Sequence, residues 1–428
     1  MRPDFLLEHA SLHGVTRRDF VAMTAKAGAA GVLAGGLGLG AQSASAARVP
    51  SWNGGRHSSS GPFTDEMFDV DAVLDGAWDE TAFYRRGDQR GTLQEVTPKK
   101  TREALRVLDR RQPVVTYNLG ELMFNGFPAF PSPEPRLYNQ RLLLSGYDPP
   151  PGYDGIFLSP TPLGPNRISF HEDRFKVSER SSPYTYTYQV GTQLDSLNHI
   201  GVGPVYYGGH RGPEIAETWG TSRLGNEHAG PIVTRGILLD VLGLKLAQGA
   251  TDVLETALNG SPHLAATYRI TLEDLEAAMR RARLKTIERG DVVLIRTGWN
   301  QLLEPHDPSG THEPDDPDHP GHPGHQKYLT SEPGIYLREA RWLASNRPAI
   351  VGADNWALEV AGDPVSGANV FPVHQELITH SGIRIGESIV TDRLAEDRVF
   401  EFVYIVTPQF ALGATAGNTP PCALGQPH

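Results

Sequence analysis

The sequence has little cysteine, little positive charge and few long apolar runs. Cys422 is the single cysteine among 428 residues. One cysteine excludes an internal disulfide, so stability has to come from a buried core. Lys and Arg number 39 against 50 Asp and Glu, a formal net charge of -11. That balance argues against nucleic acid as a partner, because phosphate recognition needs a basic footprint. After the first 46 residues no apolar run is long enough to span a bilayer, so the mature protein is expected to be soluble, without a membrane span. Gly (46) and Pro (34) are frequent, which favours a loop-rich globular chain over a helical bundle. The length suits one large or two ordinary domains.

The first 46 residues read as an export signal. Thr16-Arg17-Arg18-Asp19-Phe20 is a twin-arginine pattern. A weakly apolar, small-residue stretch follows at 25–40, and Ala44-Ser45-Ala46 fits a cleavage site. The glycine run at 35–40 belongs to this signal and is not read as a nucleotide loop. The expected organisation is a twin-arginine signal at 1–46, a polar leader at 47–84 and a catalytic domain at 85–428. The expected location is periplasmic or secreted.

The most informative stretch is 184–199, YTYTYQVGTQLDSLNH. Tyr184, Tyr186, Tyr188 and Val190 alternate with polar residues, the period-two pattern of a strand. If the chain stays extended, Gln189, Gly191, Gln193 and Asp195 share one face. Gly191 permits a bend or a close approach. His199 follows a short step later. Two amides and a carboxylate on one face are unusual for a purely structural strand.

Further elements are expected along the chain. Thr97-Pro98 opens a helix to about residue 108. Strands are expected at 114–119, 232–241, 291–297, 349–353 and 400–406, and helices at 272–284 and 337–344. Asp354 and Glu359 follow the end of a buried strand and are second-tier site candidates, with helix capping as the alternative. His210, in a Gly-rich turn region, either lines the site or is a solvated loop histidine. Residues 304–326 form an insert rich in His, Asp and Pro. Such a tract could scavenge metal, but a solvated surface loop is the favoured reading, since it lacks fixed ligand geometry. In HQELITHSGIRIGE (374–387), His374 starts a short helix and Glu387 ends the strand after it.

Taken together, these segments resemble the metal-dependent cyclase family, which includes bacterial kynurenine formamidases and isatin hydrolases. Residues 189–199 are similar to that family's HxGTHxDxPxH motif. Gly191, Thr192, Asp195 and His199 match. Gln189 and Gln193 stand at the two motif histidines and Leu197 at the proline, as in a variant subgroup. His374 and Glu387 resemble the family's later ligand pair. The resemblance extends over residues 85 to about 425, the insert excepted.

The resemblance implies an α/β fold: a mixed β-sheet, barrel-like core flanked by helices. It implies Asp195, His374 and Glu387 as metal ligands and His199 as the acid/base group. Gln189 and Gln193 would be weak ligands or substrate contacts. Amide oxygen is a harder and weaker ligand than imidazole, so one divalent ion, manganese or zinc, is expected rather than two. The implied activity is hydrolysis of a small amide, lactam or ester, arylformamidase-like. A metal-poor binding protein on the same fold and a lyase or cyclase remain alternatives. Tyr184, Tyr186, Tyr188 and Trp299 either wall an aromatic pocket or pack in the core. The expected partners are a small-molecule substrate and further copies of the chain in a homo-oligomer.

If residues 1–46 direct export, the paired substitutions Arg17→Lys and Arg18→Lys should leave unprocessed precursor in the cytoplasm of a bacterial host. Intact-mass analysis of the N-terminus reads the outcome; normal cleavage would reject the signal.

Overall fold

The computed structural model describes residues 63–79, 87–124, 127–129, 138–146, 170–176, 187–303, 323–362 and 369–427. The proposed signal, most of the leader and residues 304–322 of the insert lie outside them. Among the described residues no helix is long and apolar enough to cross a membrane.

The apolar runs form the centre of a nine-stranded sheet. In chain order its strands are β1 (Val115–Asn118), β2 (Gln193–Asp195), β3 (Ile232–Asp240), β4 (Val292–Arg296), β5 (Ile350–Ala353), β6 (Arg384–Glu387), β7 (Glu401–Val406), β8 (Ala416–Gly417) and β9 (Cys422–Gly425). Their order across the sheet is β1-β9-β7-β3-β4-β5-β6-β2-β8. The four central strands, β3 to β6, are parallel neighbours. Val292 to Ile295 of β4 and all of β5 and β6 are buried. Continuous apolar runs are what a parallel sheet covered on both faces requires. Antiparallel strands continue the sheet on both sides.

Period-two alternation sends successive side chains to opposite faces. Ile237, Leu239, Val293, Ile295, Val351 and Ile385 pack with helices α2 (Val241–Gln248), α3 (Leu272–Arg281) and α4 (Leu337–Ser345). Leu238, Val292, Leu294, Ile350, Phe402 and Tyr404 fill a second core with Leu119 and Leu194. Helix starts obey local chemistry. Thr271 and Asp274 form a reciprocal capping box at α3, and Thr97 caps helix α1 (Pro98–Ala104).

The sheet curls back on itself. Gly120, just past the edge strand β1, bridges Ile389, just past β6. Val390 N donates to Leu119 O at 2.9 Å. Thr192 Oγ1 accepts from Glu121 N (2.7 Å) and donates to Ser388 O (2.6 Å). One hydroxyl therefore ties the segments that follow β1 and β6 to the one that precedes β2. The result is the mixed, barrel-like α/β core flanked by helices.

Element boundaries differ in detail. The helix expected to about 108 ends at Ala104 and continues as a 3-10 turn, Leu105–Val107. That expected to 284 stops at Arg281, with Arg283 left-handed at φ 57°. The larger correction concerns the strand expected at 184–190. Residues 184–186 lie outside the described set, and 188–192 form bends. Thr187 Oγ1 accepts from Gln189 N at 3.1 Å, a local turn that competes with strand pairing. Gly191 then takes φ 61°, which an extended chain does not allow. The strand is only Gln193–Asp195.

Thr192→Val keeps the side-chain shape but leaves Ser388 O and Glu121 N without their partner. The expected loss is about 1–3 kcal/mol, measured by urea unfolding; an unchanged midpoint would show the tie to be dispensable.

Candidate metal centre

Three separate segments bring charged side chains together. Asp195 ends β2. Glu387 ends β6 and pairs in register with Gln193 of β2. His374 lies in a short helix, Pro372–His374, that continues as a π-helical turn, Gln375–His380. Pro372 suits the first helical position. Asp195, His374 and Glu387 are all buried, and one ligand atom from each lies within 4.8 Å of the others.

The contacts leave a defined set of atoms facing inward. His374 Nε2 is 3.1 Å from Glu387 Oε1 and 3.7 Å from Asp195 Oδ2. Its Nδ1 is taken by Glu359 Oε1 at 2.6 Å. Asp195 Oδ2 is buried with no hydrogen bond. Burial and the charge of Asp195 push the Glu387 carboxyl up to about 8, against the pull of His374. Burial opposes charge on His374, but its hydrogen bonds to Glu359 and Glu387 and their charges hold its pKa well above the ordinary value. Two buried carboxylates and an imidazole nitrogen thus converge where a positive charge is wanted. A divalent cation fits that donor set: one nitrogen and two hard oxygens, one of them the otherwise unsatisfied Asp195 Oδ2.

The two glutamines face the carboxylates through their amide N–H groups. Gln193 Nε2 donates to Glu387 Oε2 (2.5 Å), to Gln189 Oε1 (2.5 Å) and to Asp195 Oδ1 (3.4 Å). Gln189 Nε2 donates to Asp195 Oδ1 at 3.3 Å and lies 3.3 Å from His199 Nδ1. Since Gln189 Oε1 accepts from Gln193, the network fixes which end of each amide is which. The other ring nitrogen of His199, Nε2, is 3.9 Å from Asp195 Oδ2. The ring is 22 % exposed.

A cavity of about 380 Å³ opens onto this cluster and is lined by Gln189, Gln193, His199, His374 and Glu387. Its other walls include Phe127, Tyr328, Trp356, Phe371 and Ser388. These aromatics stood outside the sequence reading: isolated rings far apart in sequence carry no local signal. Trp299 is fully buried behind the wall, its Nε1 donating to Tyr328 O at 3.1 Å. Tyr188 is half-buried and does not line the cavity, and Tyr184 and Tyr186 lie outside the described residues.

The second-tier residues sit elsewhere. Asp354 is buried and accepts from Thr297 N (2.8 Å), Thr297 Oγ1 (2.6 Å) and Gly298 N (2.8 Å). It secures the turn after β4 and does not reach the cavity. Burial, against those donors, pushes its carboxyl up to about 6. His210 belongs to a small ribbon, paired with Tyr206, and is not part of the cavity lining. Glu359 is the exception, held against His374.

Comparison with known proteins follows the same outline. The family model described as "Putative cyclase" matches residues 117–360. A crystal structure of a novel cyclase superposes with a TM-score of 0.59 at 26 % identity, covering 79 % of this chain and 96 % of that one. Isatin hydrolase A from Labrenzia aggregata, bound to benzyl benzoate, gives 0.45 at 14 % identity, covering 73 % and 94 %. Isatin hydrolase A from Ralstonia solanacearum gives 0.46 at 15 %, covering 73 % and 92 %. No curated protein sequence matches the chain. With more than half of its length matched by the family model and the same fold in a solved cyclase, this chain belongs to the cyclase family.

Proposed function

We propose that this protein is an exported metal-dependent hydrolase of a small amide, lactam or ester, with Asp195, His374 and Glu387 holding one manganese or zinc ion. The observation that carries the reading is the convergence of three buried ligand atoms within 4.8 Å at the floor of a largely apolar cavity. When bound, a divalent ion polarises a carbonyl and lowers the pKa of water.

The chain's own groups supply the rest. Gln189 and Gln193 hold the ligand carboxylates by donating to them, which favours a single ion over a pair. Phe127, Trp356 and Phe371 surround the substrate with apolar surface and exclude water. His199 carries the proton of the reaction: its ring takes the proton that the attacking water gives up and passes it to the leaving nitrogen or oxygen, ending neutral as it began. The aromatic wall favours an aryl or similarly flat substrate, as in an arylformamidase-like reaction. The closed hydrogen-bond network between the glutamines and Glu387 is the one feature that also suits a metal-poor binding protein.

Elemental analysis of unchelated protein should find about one manganese or zinc per chain, lost in Asp195→Ala. No ion after reconstitution with excess metal would overturn the metal reading and favour the binding protein. His199→Ala should keep the ion and lower hydrolysis of N-formyl anilines or cyclic amides by about 10²–10⁴-fold; unchanged turnover removes its role. Oxygen from labelled water should enter the product, whereas a lyase would leave it unlabelled.

A further inference from the structure

Glu359 is a buried carboxylate, 3 % exposed, that does not line the cavity. Its hydrogen bonds all go to one place. Oε2 accepts from Val373 N at 3.1 Å; Oε1 accepts from His374 N at 3.2 Å and faces His374 Nδ1 at 2.6 Å. The backbone that presents it is itself held. Leu358, just before it, is left-handed at φ 64°, a strained conformation for a side chain of that size. The fully buried Glu332 accepts from Trp356 N (2.8 Å) and Ala357 N (3.0 Å), and Asn355 Oδ1 accepts from Leu358 N at 3.0 Å. Such scaffolding is far more than a mere cap requires.

A carboxylate only accepts. Facing Nδ1, Glu359 therefore requires the ring proton there and leaves Nε2 turned toward Asp195 and Glu387. The same carboxylate also holds the backbone at 373 and 374, so rotamer and main chain are fixed together. We infer that Glu359 is the positioning residue of the metal centre, setting the tautomer and orientation of His374 so that Nε2 is presented as a ligand. This rests on the reading of Asp195, His374 and Glu387 as metal ligands. Supporting groups of this kind change metal affinity without touching the ion.

The chemistry dictates the test. In Glu359→Gln the amide must turn its NH2 toward one of the three donors. Turned toward the ring, it makes Nδ1 an acceptor and moves the proton to Nε2, where it blocks ligation. Glu359→Asp keeps an acceptor-only group with shorter reach. Titration calorimetry with Mn²⁺ should show about 10–100-fold weaker binding in Glu359→Gln, with an unchanged circular dichroism spectrum, and substantial recovery in Glu359→Asp. Wild-type affinity in Glu359→Gln, or no recovery in Glu359→Asp, would overturn the assignment. A second readout is independent of uptake: the hydrogen-bonded Nδ1 proton of His374, followed by NMR in ¹⁵N-histidine-labelled protein. It should be lost in Glu359→Gln and kept in Glu359→Asp. If the wild-type protein binds no ion at all, the metal reading fails. The proton signal then still decides whether Glu359 sets the ring, and its persistence in Glu359→Gln overturns that too.

Discussion

Two carboxylates, Asp195 and Glu387, are buried beside the same imidazole and accept from the same amide, and much of the surrounding structure answers to their charge. Isolated buried carboxylates are costly unless paired or fully hydrogen-bonded. Here the compensation is partial. Gln189 and Gln193 donate to one oxygen of each, His374 faces the other oxygen of each, and Asp195 Oδ2 remains without a hydrogen bond. Burial and the charge of Asp195 accordingly push the Glu387 carboxyl up to about 8.

The fold sets this geometry by closing a sheet rather than by any one loop. Four parallel strands give a rigid, doubly covered platform. Glu387 leaves it at the end of β6, and Asp195 meets it on the adjacent antiparallel β2. The tie through Thr192 holds the flank of β1 over the same end. His374 is fixed from behind by Glu359, whose loop is anchored on Glu332. Carboxylates on two successive layers therefore support the site, one holding the ring and one holding the backbone that carries the first.

The sequence showed much of this, and its failures have physical causes. The parallel strands were legible because each of 232–241, 291–297 and 349–353 carries an apolar run, at 236–239, 292–295 and 349–353, with clear ends. Asp195, His199, His374 and Glu387 were named as a set through the family resemblance; the fold brings them together, with His199, His374 and Glu387 lining one cavity and Asp195 buried beside them. The strand at 184–190 misled because alternation cannot show that Thr187 closes a local turn or that Gly191 reverses the backbone. The role of Asp354 as the anchor of the turn at Thr297 depends on partners far away in the chain. The hydrogen-bond direction of Gln189 and Gln193 depends on neighbours from β6 and could not be read from a substitution pattern.

The candidate ligand atoms come from positions 195, 374 and 387, and Asp195 is far from the other two until β2 has paired with β6. An unfolded chain therefore has no comparable cation site. Anything bound there favours the folded state by mass action, by about 2.7 kcal/mol at a hundredfold excess over the dissociation constant. That is a sizeable share of the stability of an ordinary domain. On the proposed metal reading, ion supply and conformational lifetime become one variable: a cell short of the ion would hold a less durable protein as well as a less active one.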